Sequence, residues 1–470
     1  MTSTVLEERE LTPARSRGLG LVLAAVGIPT FMVTLDNLVV TNALPVIKTE
    51  LGASLSDLQW FVNAYTLAFA ALLLTAAAIG DRVGRRRLFL AGIALFTTAS
   101  AVCALATDPW MLTAARAIQG IGAAAVMPLS LTLLASAVPE KQRSAAIGIW
   151  GGISGLGVAV GPVVGGAVVD GLNWQWIFWL NVPVGVIAVL LAARVLTESK
   201  GERKRLDLLG LVLATAGVLS IVWGVVHGAG DGWTSAGVLG SLVAGVALLA
   251  VFIGWERRTA APMLPLRLFS VRSFSVVNVV SFTFSMGAFG SVFLLAQFFQ
   301  VVQHYSPFES GVRTLPWTAA PLIVAPIAGL IVDRVGARVL IASGQLFLAV
   351  ALGWVALTAS TTTQYGDLVV PFILAGVGMG LTFAPTASVV MGSASDADRG
   401  VASGTNNTIR EVGVAMGVAV LASVFASAGS YASPASYTDG VIPAVWTGAA
   451  IVAAGALVAL LLPGRKRSIV

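Results

Sequence analysis

Asp81-Arg82-Val83-Gly84-Arg85-Arg86 and Asp333-Arg334-Val335-Gly336-Ala337-Arg338 are two versions of one short basic turn, alike at five of six positions. Each copy ends one long apolar run and begins another. Short turns with Gly and Arg do arise by convergence. Five shared residues at matching places between apolar runs read better as a duplication, and membrane carriers are commonly built from related halves around a midplane site.

The rest of the chain supports that reading. Of its 470 residues, 57% are hydrophobic and 11% charged, against about a quarter charged in soluble domains. A membrane helix takes about 20 mostly apolar residues, and fourteen such runs can be marked out. The first copy of the turn follows the second run, Leu58–Gly80, and the other follows the tenth, Leu315–Val332. An offset of eight runs is a six-helix repeat plus a two-helix insertion. The expected fold is therefore an all-α integral membrane protein of two pseudo-symmetric six-helix bundles plus two inserted helices. Its parts are a tail (1–18), a bundle (19–196), a basic linker (197–207), the insertion (208–255), a second linker (256–273), a bundle (274–462) and a tail (463–470).

Basic residues set the orientation, because Lys and Arg are retained on the cytoplasmic side. With the N-terminus inside, 24 of the 28 Lys and Arg residues fall on cytoplasmic segments. Only Lys48 and Arg313 fall outside, and Arg116 and Arg410 lie within spans. A one-span error would put the later loops out of phase. Both termini are expected in the cytoplasm of a multi-pass protein of the cell membrane. Trp60, Trp110, Trp174, Trp176 and Trp233 fall near the predicted outer boundary, where indole prefers the headgroup layer.

Several function classes drop out. The net charge of +6 lies in short loops between apolar runs, so no nucleic-acid surface is expected. None of the five lysines follows glycine, as a phosphate-binding loop requires. Cys103 is the sole cysteine, and His227 and His304 are isolated, so neither a metal site nor enzyme chemistry is expected. A membrane sensor would carry a soluble output domain, and the linkers are only a dozen or so residues long.

Five motifs carry a resemblance over nearly the whole chain. Gly80–Arg87 (GDRVGRRR) is similar to the signature loop of the major facilitator superfamily, and Leu35–Pro45 (LDNLVVTNALP) to the first-span motif of its fourteen-span drug–proton antiporter branch. Arg116, Gln119, Gly120 and Gly122 match the fourth-span motif. Gly157, Gly161, Pro162, Gly165 and Gly166 match the fifth-span antiporter pattern, and Trp174–Pro183 (WQWIFWLNVP) another hallmark of the branch. The loop departs from the family at Ala77, where a leading Gly is usual; the second copy has Gly329. The resemblance implies a major facilitator fold, proton-driven antiport by alternating access, no cofactor, and multidrug efflux. An endogenous lipid, siderophore or secondary metabolite is the alternative cargo.

Charges inside spans are the candidate coupling residues. Asp36 lies in the first span, where a carboxylate costs about 3 kcal/mol or more on insertion scales. Burial pulls a carboxyl toward its neutral form and a nearby cation toward its charged form. A group pulled both ways loads and releases protons; a carboxylate that only caps a kink is the plainer role. Arg116 is the expected cation, about 9 Å below the outer end of span four at 1.5 Å per residue. The resemblance implies that spans one and four adjoin. Arg410 and Glu411 form a second set on span thirteen, pointing about 100° apart. Glu411 is either a proton site, a counter-ion for a cationic cargo, or part of a structural network with Asn406 and Asn407.

Met286, Phe289, Phe293, Gln297 and Gln300 share one face of span nine, and two glutamines argue against a purely lipid-facing stripe. Cavity lining is expected there, with helix packing the alternative. Asn37, Asn42, Trp60, Asn63, Tyr65 and Gln119 are similar candidates. The mixture suits small amphipathic cargo, cations among it, handled by a monomer among membrane lipids. Gly157, Gly161 and Gly165 recur every four residues and, with Pro162 and Gly166, are expected to form a tight seam against the other half. Asp81, Arg82, Gly84, Arg85 and Arg86, with Asp333, Arg334 and Gly336, are expected to form a cytoplasmic latch, a carboxylate meeting a helix N-terminus.

Overall fold

A computed structural model describes residues 18–201, 206–395 and 398–464, so nearly all of the two expected tails lies outside the described residues. Among these residues there is no strand, and fourteen helices are long and apolar enough to cross a membrane. Spans one to five are Leu19–Leu51, Leu55–Val83, Arg85–Ala104, Pro109–Ala137 and Glu140–Gly171. Span six is Trp176–Val195, broken at Leu180 into Trp176–Trp179 and Asn181–Val195. The inserted pair is Leu208–Asp231 and Ala236–Glu256. Spans nine to fourteen are Arg272–Val301, Pro307–Val335, Ala337–Thr358, Tyr365–Gly392, Arg399–Ala428 and Pro434–Ala459.

Local chemistry explains several boundaries. Ser54 accepts from the Asp57 amide while Asp57 Oδ2 accepts from the Ser54 amide, and Ser306 and Glu309 repeat this capping box. Each box satisfies two donors that a helix start leaves open. They open spans two and ten, so the duplication is written at both ends of these helices. At the other end Gly84 (φ 124°) and Gly336 (φ 94°) make the tight turns into spans three and eleven. An L side chain rarely takes these angles. Span ten stays a single helix despite Pro316, Pro321 and Pro326 in its interior.

The two halves share one plan. In the first, span one packs on five and six, span two on four, and three on four and six; spans nine to fourteen repeat those neighbours in order. The inserted spans pack on each other through Gly217 and Gly245, whose missing side chains admit the facing backbone. Span seven also lies against spans two and thirteen, burying Leu67, Val222, Val226, Ala415 and Ala419 together. Lipid-facing surfaces are apolar: Leu330, Leu357 and Val243 are well exposed.

The halves meet at the end away from the basic turns and again between spans two and thirteen, where Leu74 crowds Gly404 and Thr408 donates to the Ala70 carbonyl. The end bearing the basic turns and linkers is called the basic end here. At the opposite end Asn42 Nδ2 donates to the Pro162 and Pro307 carbonyls at 3.0 and 2.8 Å, and Gln300 Nε2 donates to the Asn42 carbonyl at 2.8 Å. Asp170 accepts from the Phe308 amide at the start of span ten (2.9 Å), where the helix dipole favours a negative charge. Lys48 lies 4.9 Å from the centre of the Tyr431 ring. Lower down, Thr318 donates to the Ala159 carbonyl and Leu322 lies beside Gly155. Toward the basic end the next glycines of span five, Gly152, Gly151 and Gly148, face nothing within 4 Å.

Two expectations are corrected. Gly157, Gly161 and Gly165 do not face the other half; they admit Thr34, Leu38 and Val39 of span one. A four-residue spacing keeps them on one face, and that face belongs to the same half. Gly166, turned about 100° from Gly165, is the residue that meets span ten, with Phe308 Cα only 2.6 Å from where its Cβ would stand. Gly311 makes the reciprocal approach to Val163 Cα at 2.9 Å.

In the first basic turn Asp81 is not the carboxylate that meets a helix N-terminus. Asp81 pairs with Arg85 at 2.7 Å, and the Gly201 amide donates to the Asp81 carbonyl, so the turn binds the linker of its own half. Glu198, not Asp81, sits at the helix N-terminus, accepting from the Arg86 and Arg87 amides at 3.0 and 3.2 Å. Arg86 also donates to the Ala193 carbonyl. In the second copy, Asp333 is exposed.

The two seams separate by mutation. Gly161→Leu should overpack span one against span five and lower stability by about 1–3 kcal/mol, read as the unfolding midpoint in detergent. Gly166→Val should instead hold the closed end apart, cutting disulfide formation between Asp170→Cys and Phe308→Cys several-fold. Equal cross-linking in both backgrounds would contradict the assignment.

Candidate functional site

Asp36 lies between Pro29 and Pro45 on span one and is 1% exposed; Arg116 on span four is 0% exposed. Arg116 Nη1 donates to Asp36 Oδ2 at 2.5 Å. The sequence therefore brings its two candidate partners together, fully out of water.

A buried ion pair is tolerable only when the remaining lone pairs and protons are also met. Here the carboxylate accepts from Gln119 Nε2 at 2.9 Å and Asn181 Nδ2 at 2.7 Å, both on Oδ1. Gln119 is fixed in turn by Ser100, whose Oγ accepts at 2.7 Å, and its own Oε1 accepts from Arg116 at 2.5 Å. Arg116 Nε donates to the Phe61 carbonyl at 3.0 Å, and the guanidinium lies 4.3 Å from the Tyr65 ring centre. Only Nη2 lacks a partner. Spans one, two, three, four and six all contribute to this one pair.

The break at Leu180 has a use. It starts a fresh helix at Asn181, whose amide reaches Asp36, while Trp174 anchors the preceding turn by donating to Glu50 at 2.9 Å. Asn181 stands in the quoted span-six motif, but its role was not legible there. Its position as a lone amide in an apolar run was the available signal. Ser100, amid Ala and Thr, gave none.

The second charged set lies in the other half. Arg410 Nη1 donates to Asn407 Oδ1 at 3.3 Å and its guanidinium faces Phe383, with 5.3 Å to the ring centre. Glu411 is half-buried and forms no ion pair among the described residues. Asn406 is spent elsewhere, donating to Asn278 and Ser281 at 3.0 and 2.9 Å. Thr408 touches the Ala70 carbonyl of span two, so the Glu411 segment lies along the line where the halves meet.

The expected cavity residues do not share one place. Asn42 and Gln300 cross-link the closed end, and Gln297 is buried there, accepting from Tyr431 at 2.5 Å. Between Asn42, Pro162 and Trp317 the free space shrinks to about 20 Å³. Tyr65 and Gln119 belong to the Asp36 network, and Trp60 packs with the cluster that holds span seven. Phe293 is buried in the core; Met286, Phe289 and Asn37 are half-buried. Asn63 is 0% exposed with both amide atoms unpartnered. An apolar recess of about 240 Å³ opens beside spans one and five, lined by Leu23, Ile28, Phe31 and Ile153.

The model of the Major Facilitator Superfamily matches residues 26–418. The chain belongs to the major facilitator superfamily. Among its relatives, the "Multidrug resistance protein Stp" of Mycobacterium tuberculosis is 38% identical over 87% of this chain and 76% of that protein. The "Tetracenomycin C resistance and export protein" of Streptomyces glaucescens is 34% identical over 90% of this chain and 79% of that protein. A bacterial homologue of the human lysosomal transporter Spinster, solved inward-facing and unoccupied, matches with a TM-score of 0.67 at 16% identity, covering 94% of this chain and 96% of that one. This superfamily member is thus a multi-pass membrane transporter and not an enzyme, related to exporters of drugs and antibiotics.

Removing one partner of a buried, hydrogen-bonded pair strands the other's charge. Arg116→Gln should therefore cost about 3–5 kcal/mol, and adding Asp36→Asn should restore part of it. The check is a double-mutant cycle on unfolding in detergent. Additive losses would mean that the two side chains do not depend on each other.

Proposed function

We propose that this superfamily member exports small amphipathic molecules, cations among them, in exchange for protons. In this reading the basic end and both termini face the cytoplasm of the cell membrane. The observation that carries this reading is the Asp36–Arg116 pair, an ionisable couple inside the bundle. Intramembrane charges of this kind generally mark proton or ion pathways.

In the proposed cycle, proton gain by Asp36 removes the charge that Arg116 neutralises. Gln119 and Asn181 then lose an ionic acceptor, and spans four and six are free to shift against span one. The guanidinium stacked on Tyr65 of span two carries that shift toward the line shared with span thirteen, where Glu411 stands unpaired. Glu411 serves as counter-charge for a cationic cargo or as a second proton site. The cycle takes place within one monomer, without a cofactor. A membrane potential of about 150 mV supplies roughly 3.5 kcal/mol per charge, enough for a concentration gradient of a few hundredfold.

The names of the relatives support drug efflux and, as a second reading, export of a secondary metabolite. The cargo is sought with an imposed pH gradient in proteoliposomes, screening lipophilic cations beside neutral aromatic antibiotics. On the cargo so found, Asp36→Asn should lose uphill export yet keep exchange down the cargo's own gradient, since Asn retains size and polarity but cannot carry a proton. Full uphill export by Asp36→Asn would shift the coupling role to Glu411.

A further inference from the structure

A pair of carboxyls lies at the basic end, where the inserted helices leave and rejoin the bundle. Asp207 caps span seven: its Oδ1 accepts from the Gly210 amide at 2.8 Å and from Trp255 Nε1 at 2.8 Å. Glu256 ends span eight and is 4% exposed; its Oε2 accepts from the Leu264 amide at 3.0 Å. Each carboxyl thus has one oxygen satisfied. The others, Asp207 Oδ2 and Glu256 Oε1, are buried without a partner. Both crowd the same point over Gly210, 2.5 and 2.7 Å from where a Cβ would stand. Two carboxylate oxygens in that position repel unless something positive lies between them.

Among the described residues no side chain supplies it. Neither carboxyl forms an ion pair among the described residues. Arg257 and Arg258, next along the chain, are exposed. On the linker, Arg267 is committed to Asp398 by two bonds of 3.0 and 2.7 Å. From span two the contact with this linker is Thr75, at 3.9 Å from the Met263 sulfur, which is neutral. When two carboxylates share a site, one holds its proton far above the usual carboxyl range, and the titration belongs to the pair.

We propose that Asp207 and Glu256 bind one proton between their facing oxygens, and that this proton docks the linker following span eight onto the base of the inserted pair. The proton exchanges with water at the basic end, taking the pair from one negative charge to two. The Glu256 carboxylate then turns away from Asp207 and releases the Leu264 amide. That linker leads directly into span nine and touches span two through Met263. The site shares no residue with the Asp36 network, so it stands whether or not export is proton-coupled.

The test uses the purified full-length protein with Thr259→Cys carrying a trifluoromethyl tag, the native Cys103 being buried. The fluorine resonance is followed from about pH 5.5 to about pH 8.5, well above ordinary carboxyl titration. The wild-type linker should pass from a docked to a released signal with a single midpoint in that window. Glu256→Gln should hold the docked signal throughout, because its amide donates to Asp207 as the acid does. Asp207→Asn should do the same, keeping its cap oxygen and donating with its nitrogen, and serves if the first variant folds poorly. A resonance that does not move in the wild type, or that titrates unchanged in either variant, would overturn the proposal.

Discussion

A guanidinium and a carboxylate, set against each other inside an apolar bundle, impose order on the whole first half of this transporter. Neither charge can be left alone in hydrocarbon, where insertion alone costs about 3 kcal/mol per group. Their neighbours are accordingly arranged around them: Gln119 and Asn181 complete the carboxylate, Ser100 holds Gln119, and the Phe61 carbonyl and Tyr65 ring complete the guanidinium. Five spans converge because each supplies one part of a polar cage. A change of charge at its centre must therefore be felt by all five.

The contact between halves is of a different kind. At the closed end it is made of Gly166 and Gly311 against facing backbone, of carbonyls that accept from Asn42, and of one carboxylate at a helix start. Small residues allow close packing there, and buried apolar side chains of spans one and nine, Val39, Leu44, Phe293 and Phe298 among them, continue one cluster across the boundary. Within the first half, by contrast, Gly157, Gly161 and Gly165 lock span five to span one.

Much of this was legible in the residues. The repeated turn at Asp81 and Asp333 shows the duplication, the family resemblance sets span one beside span four, and the fourteen apolar runs and the need of Asp36 for a partner follow from the cost of placing open backbone and charge in lipid. That constraint acts on sequence directly. What was not legible depends on which face of a helix meets which neighbour. The glycine ladder of span five was assigned to the wrong partner because its period fixes a common face but not what lies opposite. Glu198 was missed at the start of span three because it arrives from a distant linker. Asn42 and Gln300 read as cavity lining because their polarity is visible in sequence, while the carbonyls that consume it are not.

The inserted pair adds a third layer, lying against spans two and thirteen at once and tied at its base by Asp207, Trp255 and Glu256. The central claim nonetheless concerns Asp36. It is tested most directly by proton release on cargo binding, read with a pH-sensitive dye in weakly buffered detergent solution at mildly acidic pH. If cargo and proton compete through the Asp36–Arg116 pair, the wild-type protein releases protons in step with cargo bound and Asp36→Asn releases none while still binding cargo. Equal release from both proteins would contradict the account.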